Sequence, residues 1–323
     1  MRKGSLIVVA VVLIALLVAC GPDSSPVQPD TRLTIAVIPK GTTHVFWKAV
    51  EAGARKAGEE LDINIVWKGP LKENDRAQQI ALVEQFVGEG VDGIVLAPLD
   101  DRALLRPVKA AAMSQITVVI IDSGLRAEVG QYFASFVATD NREGGRLAGR
   151  RLAELLGGKG EVVLLRYQVG SASTTNREEG FLETLSEYPD IKLLVDNQYA
   201  GATAGEAIQK SQELLDHLRR SDGVFCPNES STYGMLVTLR KNNLAGRLKF
   251  VGFDASPELI DALKKGEIQG LVVQNPFRMG YDGVRIVVGS IRGRDVAQRI
   301  DTGVELVTRE NLNDPAIRQL VGE

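Results

Sequence analysis

The sequence predicts an α/β protein built as two similar, doubly wound parallel-sheet lobes. Three observations carry that prediction. From residue 32 onward, Val/Ile-rich apolar runs alternate with amphipathic segments. The order of those runs occurs twice, and matching segments stand at a nearly constant distance. Val91-Asp92-Gly93-Ile94-Val95-Leu96-Ala97-Pro98 parallels Ser221-Asp222-Gly223-Val224-Phe225-Cys226-Pro227, with Asp92 and Asp222 130 residues apart. Asp122 in Ile120-Ile121-Asp122-Ser123 and Asp254 in Val251-Gly252-Phe253-Asp254-Ala255-Ser256 are 132 apart, and the strands starting near Leu33 and Glu161 are 128 apart. One such pair could arise by chance among buried strands; three in order at one spacing indicate two copies of a βα unit.

Residues 33–38 open the first half as a short apolar strand. Residues 45–61 carry Phe46, Ala49, Val50, Gly53, Ala54, Ala57 and Leu61 at helical spacing. A strand over 63–67 precedes a helix over 75–87, whose Ile80, Val83, Phe86 and Val87 share one face. Residues 94–96 and 117–121 are again β-branched and apolar, as strands buried on both faces require. In the second half, strands are predicted over 161–166, 192–195, 223–225 and 248–253, and helices over 142–156, 176–187, 203–219 and 230–242. Ser256-Pro257 before 258–265 and Gly266 after it give a helix with a capping residue, Pro at its first position and Gly past its end. A further helical stretch, 279–291, belongs to neither half; if it packs on the first lobe, the chain crosses between lobes three times.

The ends set the compartment. Arg2 and Lys3 precede an uncharged apolar run over 6–18. It is short of the ~20 residues of a membrane span and suits a signal-peptide core. The run closes on Leu17-Val18-Ala19-Cys20, a pattern similar to the bacterial lipobox, in which the cysteine becomes the lipidated first residue. The expected organisation is a signal peptide over 1–19, a Pro/Ser-rich lipidated tether over 20–31, a first lobe of 32–139 plus 275–302, and a second of 140–274 plus 303–323. The protein is expected to be exported and anchored by lipid to a membrane, periplasmic or cell-surface. The 304 residues from Cys20 to Glu323 suffice for two domains. A net charge of −3 argues against a nucleic-acid partner. With Cys20 lipidated, Cys226 stands alone in an apolar run and reads as a small buried hydrophobe.

Ligands of parallel α/β sheets bind beyond the carboxyl ends of the strands. The first half offers Lys40, then Thr43-His44-Val45-Phe46-Trp47, then Asp122 and Ser123; the second offers Arg166-Tyr167-Gln168 and the loop beyond it, then Asn228-Glu229 and Asp254, with Gln274 near the last crossing. Carboxylates accept from hydroxyls, amides donate and accept, and aromatic faces cover the C–H face of a sugar ring, so the set suits a polyhydroxylated ligand. An Asp after a strand often only caps a turn, but Asp122 and Asp254 hold equivalent places in both halves. Arg177 in Thr174-Thr175-Asn176-Arg177, at a predicted helix start, could be a solvated side chain; a site with two carboxylates nevertheless needs a cation.

Taken together, Thr43-His44-Val45-Phe46-Trp47-Lys48, Gly90-Val91-Asp92-Gly93-Ile94, Ile121-Asp122, Thr139-Asp140-Asn141-Arg142-Glu143-Gly144-Gly145, Asn176-Arg177-Glu178-Glu179-Gly180-Phe181, Asn228-Glu229 and Val251-Gly252-Phe253-Asp254 resemble the ribose-binding-protein family, in order from about residue 31 to about residue 320. These are solute-binding proteins of sugar ABC transporters, related to lactose-repressor-type ligand domains. The resemblance implies two lobes joined by a three-stranded hinge, the type I periplasmic-binding-protein fold, closing on a sugar or polyol and docking as a monomer on a membrane permease. It places the ring-stacking aromatics at Phe46 and Trp47 and the polar contacts at Asp122, Arg177, Asn228, Asp254 and Gln274. Three positions depart from the family pattern: His44 replaces an Asn, Ser123 replaces an Arg, and a second-lobe aromatic is replaced near Ala202, where Tyr199 is a candidate substitute. These changes leave the class of ligand intact and the particular sugar open.

An enzyme on the same fold has little support. Gly88-Glu89-Gly90-Val91-Asp92-Gly93 satisfies G-x-G-x-x-G but precedes a strand instead of following one. No P-loop, H-E-x-x-H or C-x-x-C pattern occurs, so neither cofactor nor metal is expected, and His44 and His217 are the only histidines. A receptor passing a sugar-like signal to a sensor kinase or chemoreceptor uses the same site and is not separable by residues.

Overall fold

The strands that line the interior have no polar face, which requires cover on both sides. In the computed structural model, which describes residues 32–322, that cover is helical. The signal segment, the tether and Cys20 lie outside the described residues.

The first run of elements is β1 (Thr34–Ile38), α1 (Val45–Leu61), β2 (Asn64–Trp67), α2 (Arg76–Glu89), β3 (Gly93–Leu96), α3 (Leu105–Met113), β4 (Thr117–Ile121) and β5 (Ser135–Ala138). The second is α4 (Asn141–Leu156), β6 (Lys159–Arg166), α5 (Ala172–Leu185), β7 (Asp190–Tyr199), α6 (Ala204–Glu213), α7 (Leu215–Arg220), β8 (Gly223–Phe225), α8 (Glu229–Lys241), β9 (Lys249–Phe253), α9 (Pro257–Lys265) and β10 (Gly270–Gln274). The chain ends in α10 (Pro276–Ile291), β11 (Arg299–Asp301), β12 (Val304–Val307) and α11 (Pro315–Val321).

Two six-stranded sheets result, ordered β11-β5-β4-β3-β1-β2 and β12-β10-β9-β8-β6-β7. The first is parallel throughout; the second is parallel except for its edge strand β12, antiparallel to β10. Alternate residues of each strand enter different cores, as the two-residue repeat of a strand dictates. Ile35, Val37, Val95 and Val119 join the cluster under α1 and α10, whereas Ala36, Ile38, Ile94 and Leu96 join that under α2 and α3. In the second lobe Val163 and Val224 face α6, α8 and α9, while Val162, Phe225 and Val251 face α4 and α5.

The chain passes between sheets three times: from β5 into α4, from β10 into α10, and from β11 into β12. Thr139 and Thr302 lie buried side by side at two of these passages, with hydroxyls 3.4 Å apart and the Thr302 amide donating to the Ala138 carbonyl. Sequence patterning missed β5, β10, β11, β12, α3 and α11, which are short or sit at the crossings. It also started α5 four residues late and read α6 and α7 as one helix.

The repeat extends to helix packing. In each lobe the helix that follows a crossing lies on the first helix after β1 or β6, and each pair meets through reciprocal glycines. A Cβ on Gly53 of α1 would stand 1.9 Å from the Phe277 carbonyl oxygen, and one on Gly280 of α10 would stand 2.0 Å from that of Val50. Gly145 of α4 and Gly180 of α5 meet the Arg177 and Arg142 carbonyl oxygens at 2.0 and 2.1 Å in the same sense. The helix backbones therefore touch, and no side chain of any size fits between them.

Gly53→Ala and Gly145→Ala are expected to destabilise the fold by about 1–3 kcal/mol or more each, because the neighbouring backbone must move. The control Gly88→Ala, where an added Cβ meets nothing within 4 Å, should leave the denaturant midpoint unchanged or raised.

Candidate functional site

The carboxyl ends of both parallel sheets face one pocket. It is lined by Lys40, His44, Phe46, Trp47, Glu73 and Asp122 from the first lobe, and by Tyr167, Ser173, Thr174, Arg177, Asn228, Glu229, Asp254 and Gln274 from the second. About 330 Å³ of space lies between these side chains, part of it open to solvent.

The paired aspartates anchor it. Asp122 directly follows β4 and Asp254 directly follows β9, the equivalent strand of the other lobe. Both take left-handed backbone angles, φ 61° and 68°, which Asp tolerates better than most residues. The chain turns sharply there, and each carboxylate stays buried at the strand end. Neither is the N-cap residue of a helix, although the Asp254 carboxylate receives the first amide of α8. Asp122 meets the Lys40 ammonium at 2.7 Å, although its Oδ2 has no well-directed hydrogen bond; Asp254 accepts from Gln274 Nε2 at 2.6 Å and from the Glu229 amide at 3.0 Å. Gln274 Oε1 is buried without a partner and is free to accept from a ligand.

Arg177 lies in the second turn of α5, buried, its guanidinium stacked 3.9 Å above the Phe253 ring. Its Nε donates to Asn141 at 2.8 Å and its Nη1 to the Pro227 carbonyl at 2.9 Å. Asn141 also donates to the main-chain oxygen of Asp122, so one amide at a crossing ties the arginine of one lobe to the aspartate of the other. Phe46 and Trp47, adjacent on α1, nonetheless both border the pocket, because their rings meet edge to face with centroids 4.9 Å apart.

Of the residues singled out from sequence, the structure brings His44, Phe46, Trp47, Asp122, Arg177, Asn228, Asp254 and Gln274 to this pocket. Asn228 is also the N-cap of α8, accepting from the Ser231 amide at 3.3 Å. Ser123 does not border the pocket: fully buried, its hydroxyl accepts from the Ser173 amide of the other lobe at 3.1 Å. Tyr199 is 42 % exposed and away from the site; the second-lobe aromatic in the pocket is Tyr167, which follows β6 and is 1 % exposed. Glu73 carries no signal in the sequence, and Ser173 and Thr174 fall in the segment beyond Gln168 that the sequence offers without singling them out. Glu73 sits in a loop without periodicity, and the two hydroxyls lie on a turn of α5 that was read as loop.

A model of the periplasmic binding protein domain matches residues 35–295 of the chain. The xylitol-binding protein of Mycolicibacterium smegmatis is 26 % identical over 309 residues, covering 95 % of this chain and 85 % of the relative. The D-ribose/D-allose-binding protein of Pseudomonas aeruginosa is 28 % identical over 286 residues, 85 % of this chain and 88 % of the relative. Among solved structures, a carbohydrate transporter solute-binding protein of Agrobacterium radiobacter in complex with D-arabinose superposes with TM-score 0.86 at 35 % identity, covering 90 % of this chain and 99 % of that one. An ABC transporter solute-binding protein of Agrobacterium vitis with bound D-fucose gives 0.85 at 32 %, covering 89 % and 99 %.

The departure at His44 is electrostatic as well as steric. His44 stands before α1, and its Nδ1 lies 2.9 Å from Glu73 Oε1. Burial pulls the imidazole pKa down, but the hydrogen bond to Glu73 and the charges of Glu73, Glu229 and Asp254 outweigh it and raise the pKa from 6.5 to about 9. Burial likewise pushes Glu73 up, yet His44, Lys40 and the Trp47 indole hold it down at about 2. His44 and Glu73 are therefore an ion pair at neutral pH.

A histidine with a raised folded pKa stabilises fully below its unfolded value of 6.5 and loses that contribution as pH rises through about 9. A carboxylate with a depressed pKa stabilises fully above 4.5 and loses it as pH falls through about 2. The pair's contribution should thus be greatest between pH 4.5 and 6.5. Thermal melts of His44→Asn against the unaltered protein are expected to show the difference in stability shrinking from pH 6.5 to 9, and a constant difference would contradict the pairing.

Proposed function

The chain belongs to the periplasmic binding protein domain family, and from that membership we propose that it is the extracytoplasmic solute-binding lipoprotein of an ABC transporter, clamping a neutral monosaccharide or polyol between its lobes. The observation that carries the reading is the convergence of Asp122 and Asp254, from equivalent strands, with Arg177 and two adjacent aromatic rings on one buried pocket. The relatives support it: they are binding proteins for xylitol and for ribose and allose, and the similar solved structures hold D-arabinose and D-fucose.

The charge balance favours a neutral ligand. Three cations border the pocket, Lys40, His44 and Arg177, against four carboxylates, Glu73, Asp122, Glu229 and Asp254. Lys40 and His44 are each engaged by a carboxylate within 3 Å, and Arg177 lies in the fields of Asp254 and Asp122. A sugar acid or phosphate would bring a charge with no cation left for it, a large cost in a desiccated site. Hydroxyls, by contrast, can donate to the carboxylates and to Gln274 Oε1 and accept from Asn228, while ring C–H faces lie on Phe46 and Trp47. A buried hydroxyl without a partner costs about 1–3 kcal/mol, so the polar lining discriminates between stereoisomers.

The mechanism we infer is hinge closure. Residues 32–139 with 275–302, and 140–274 with 303–322, move as two bodies about the three crossings; closure desolvates the ligand and brings together surfaces of both lobes for a membrane permease. The charged start, the apolar run and Leu17-Val18-Ala19-Cys20 support export and lipidation at Cys20.

Titration calorimetry against neutral pentoses, hexoses and pentitols, and against hexuronates and sugar phosphates, is the direct test. Neutral compounds should bind and the anions should not; tighter binding of an anion would overturn the assignment. Asp254→Ala and Arg177→Ala should each weaken the bound neutral compound by about 2–5 kcal/mol, since each removes a buried polar contact to the ligand and the opposite charge whose field the other lies in. Cys20→Ser should move the protein from the membrane fraction to the soluble fraction, and retention in the membrane would exclude lipidation at that residue.

A further inference from the structure

Glu73 belongs to no element; it lies in the loop between β2 and α2, yet it is 6 % exposed. Its two carboxylate oxygens serve different lobes. Oε1 accepts from the Trp47 indole at 2.7 Å and pairs with His44 at 2.9 Å, both in its own lobe. Oε2 accepts from the Tyr167 hydroxyl of the other lobe at 2.9 Å, and the Glu73 carbonyl accepts from Gln168 Nε2 at 2.7 Å, again across the cleft. Gly41 leaves room for the side chain: a Cβ there would stand 2.8 Å from the Glu73 Cγ.

Tyr167 is itself held firmly. Its amide donates to Glu178, which is also ion-paired with Arg166. The segment after it continues across the cleft: Arg76 donates to the Val169 carbonyl at 2.9 Å, and the Asp101 amide donates to the Gly170 carbonyl at 3.1 Å. Gly170 has φ 95°, and a Cβ there would come within 2.4 Å of the Asp100 carboxylate, so only glycine permits this approach.

We propose that Glu73 is a positioning residue that couples closure of the lobes to the shape of the binding wall, one carboxylate oxygen orienting Trp47 and His44 and the other latching that wall to Tyr167. When the lobes part, Oε2 and the Tyr167 hydroxyl separate, and the constraint on the Trp47 ring loses its far side. Closure is then favoured by contacts within the protein as well as by ligand. The inference builds on the clamp reading above, but its first test needs no ligand.

The test is a double-mutant cycle with Glu73→Gln and Tyr167→Phe in the full chain, read by amide hydrogen exchange without ligand. The Asp101 and Ser173 amides, which donate across the cleft, report closure; strand amides of Val95 and Val251 report the fold. Each single variant should raise exchange at Asp101 and Ser173 about tenfold while Val95 and Val251 are unchanged, and the double variant should add little more, because both remove one shared contact. Equal exchange in all four proteins, or effects that multiply in the double variant, would overturn the proposal. Tyr167→Phe keeps the ring and decides the matter if Glu73→Gln lowers protection everywhere. A second arm measures D-arabinose release by tryptophan fluorescence, with faster release expected in both single variants. Failure of D-arabinose to bind the unaltered protein counts against that sugar as the ligand and leaves the exchange result standing.

Discussion

The pairing of buried charge is the constraint on which this structure depends. Seven acidic or basic side chains border one pocket, and a lone charge there would be neutralised or would destabilise the fold. The chain answers by pairing charge within each lobe: Lys40 with Asp122, His44 with Glu73, and Arg177 fixed by Asn141, the Pro227 carbonyl and the Phe253 ring, while Lys40 also donates to Ser173 of the other lobe. The residues that line the pocket come from both lobes, so it is complete only where the lobes meet.

That arrangement needs rigid bodies to carry it. Carboxylates held at the ends of central strands cannot drift, since those strands are packed on both faces by helices. The reciprocal glycine contacts of α1 with α10 and of α4 with α5 lock the helix that follows a crossing to its lobe. At the crossings, where Thr139 and Thr302 lie side by side, only short segments join the two packed bodies. The left-handed turns at Asp122 and Asp254 repeat one local conformation in both lobes, which is why the site is close to symmetric in its carboxylates and asymmetric in its aromatic wall.

The residues that were legible before the fold was seen share a property: each follows a strand whose apolar run is unmistakable, or begins a helix with clear periodicity. Asp122, Asn228 and Asp254 were found by asking what comes after a buried Val/Ile run, and Arg177 by the need for a cation. Ser123 satisfied the same rule and is nevertheless turned toward Ser173, since neighbours in sequence at a strand end face different ways. Tyr199 ends β7 and Tyr167 follows β6; β7 lies at the sheet edge and β6 nearer the centre, and only Tyr167 reaches the cleft. Glu73 carried no local signal at all, because an irregular loop has no period from which a direction can be read.

By itself the sequence determined the doubled α/β architecture, the parallel strands and the polar character of the strand ends, because hydrophobic periodicity and repeat spacing are local or translational properties of the chain. Only the tertiary structure decided that Glu73 divides its carboxylate between lobes, that Asn141 bridges Asp122 to Arg177, and that Tyr167 supplies the second lobe's ring. Those facts depend on distances between residues up to about a hundred positions apart, set by how two packed bodies meet across three crossings, and no pattern along the chain encodes such a distance.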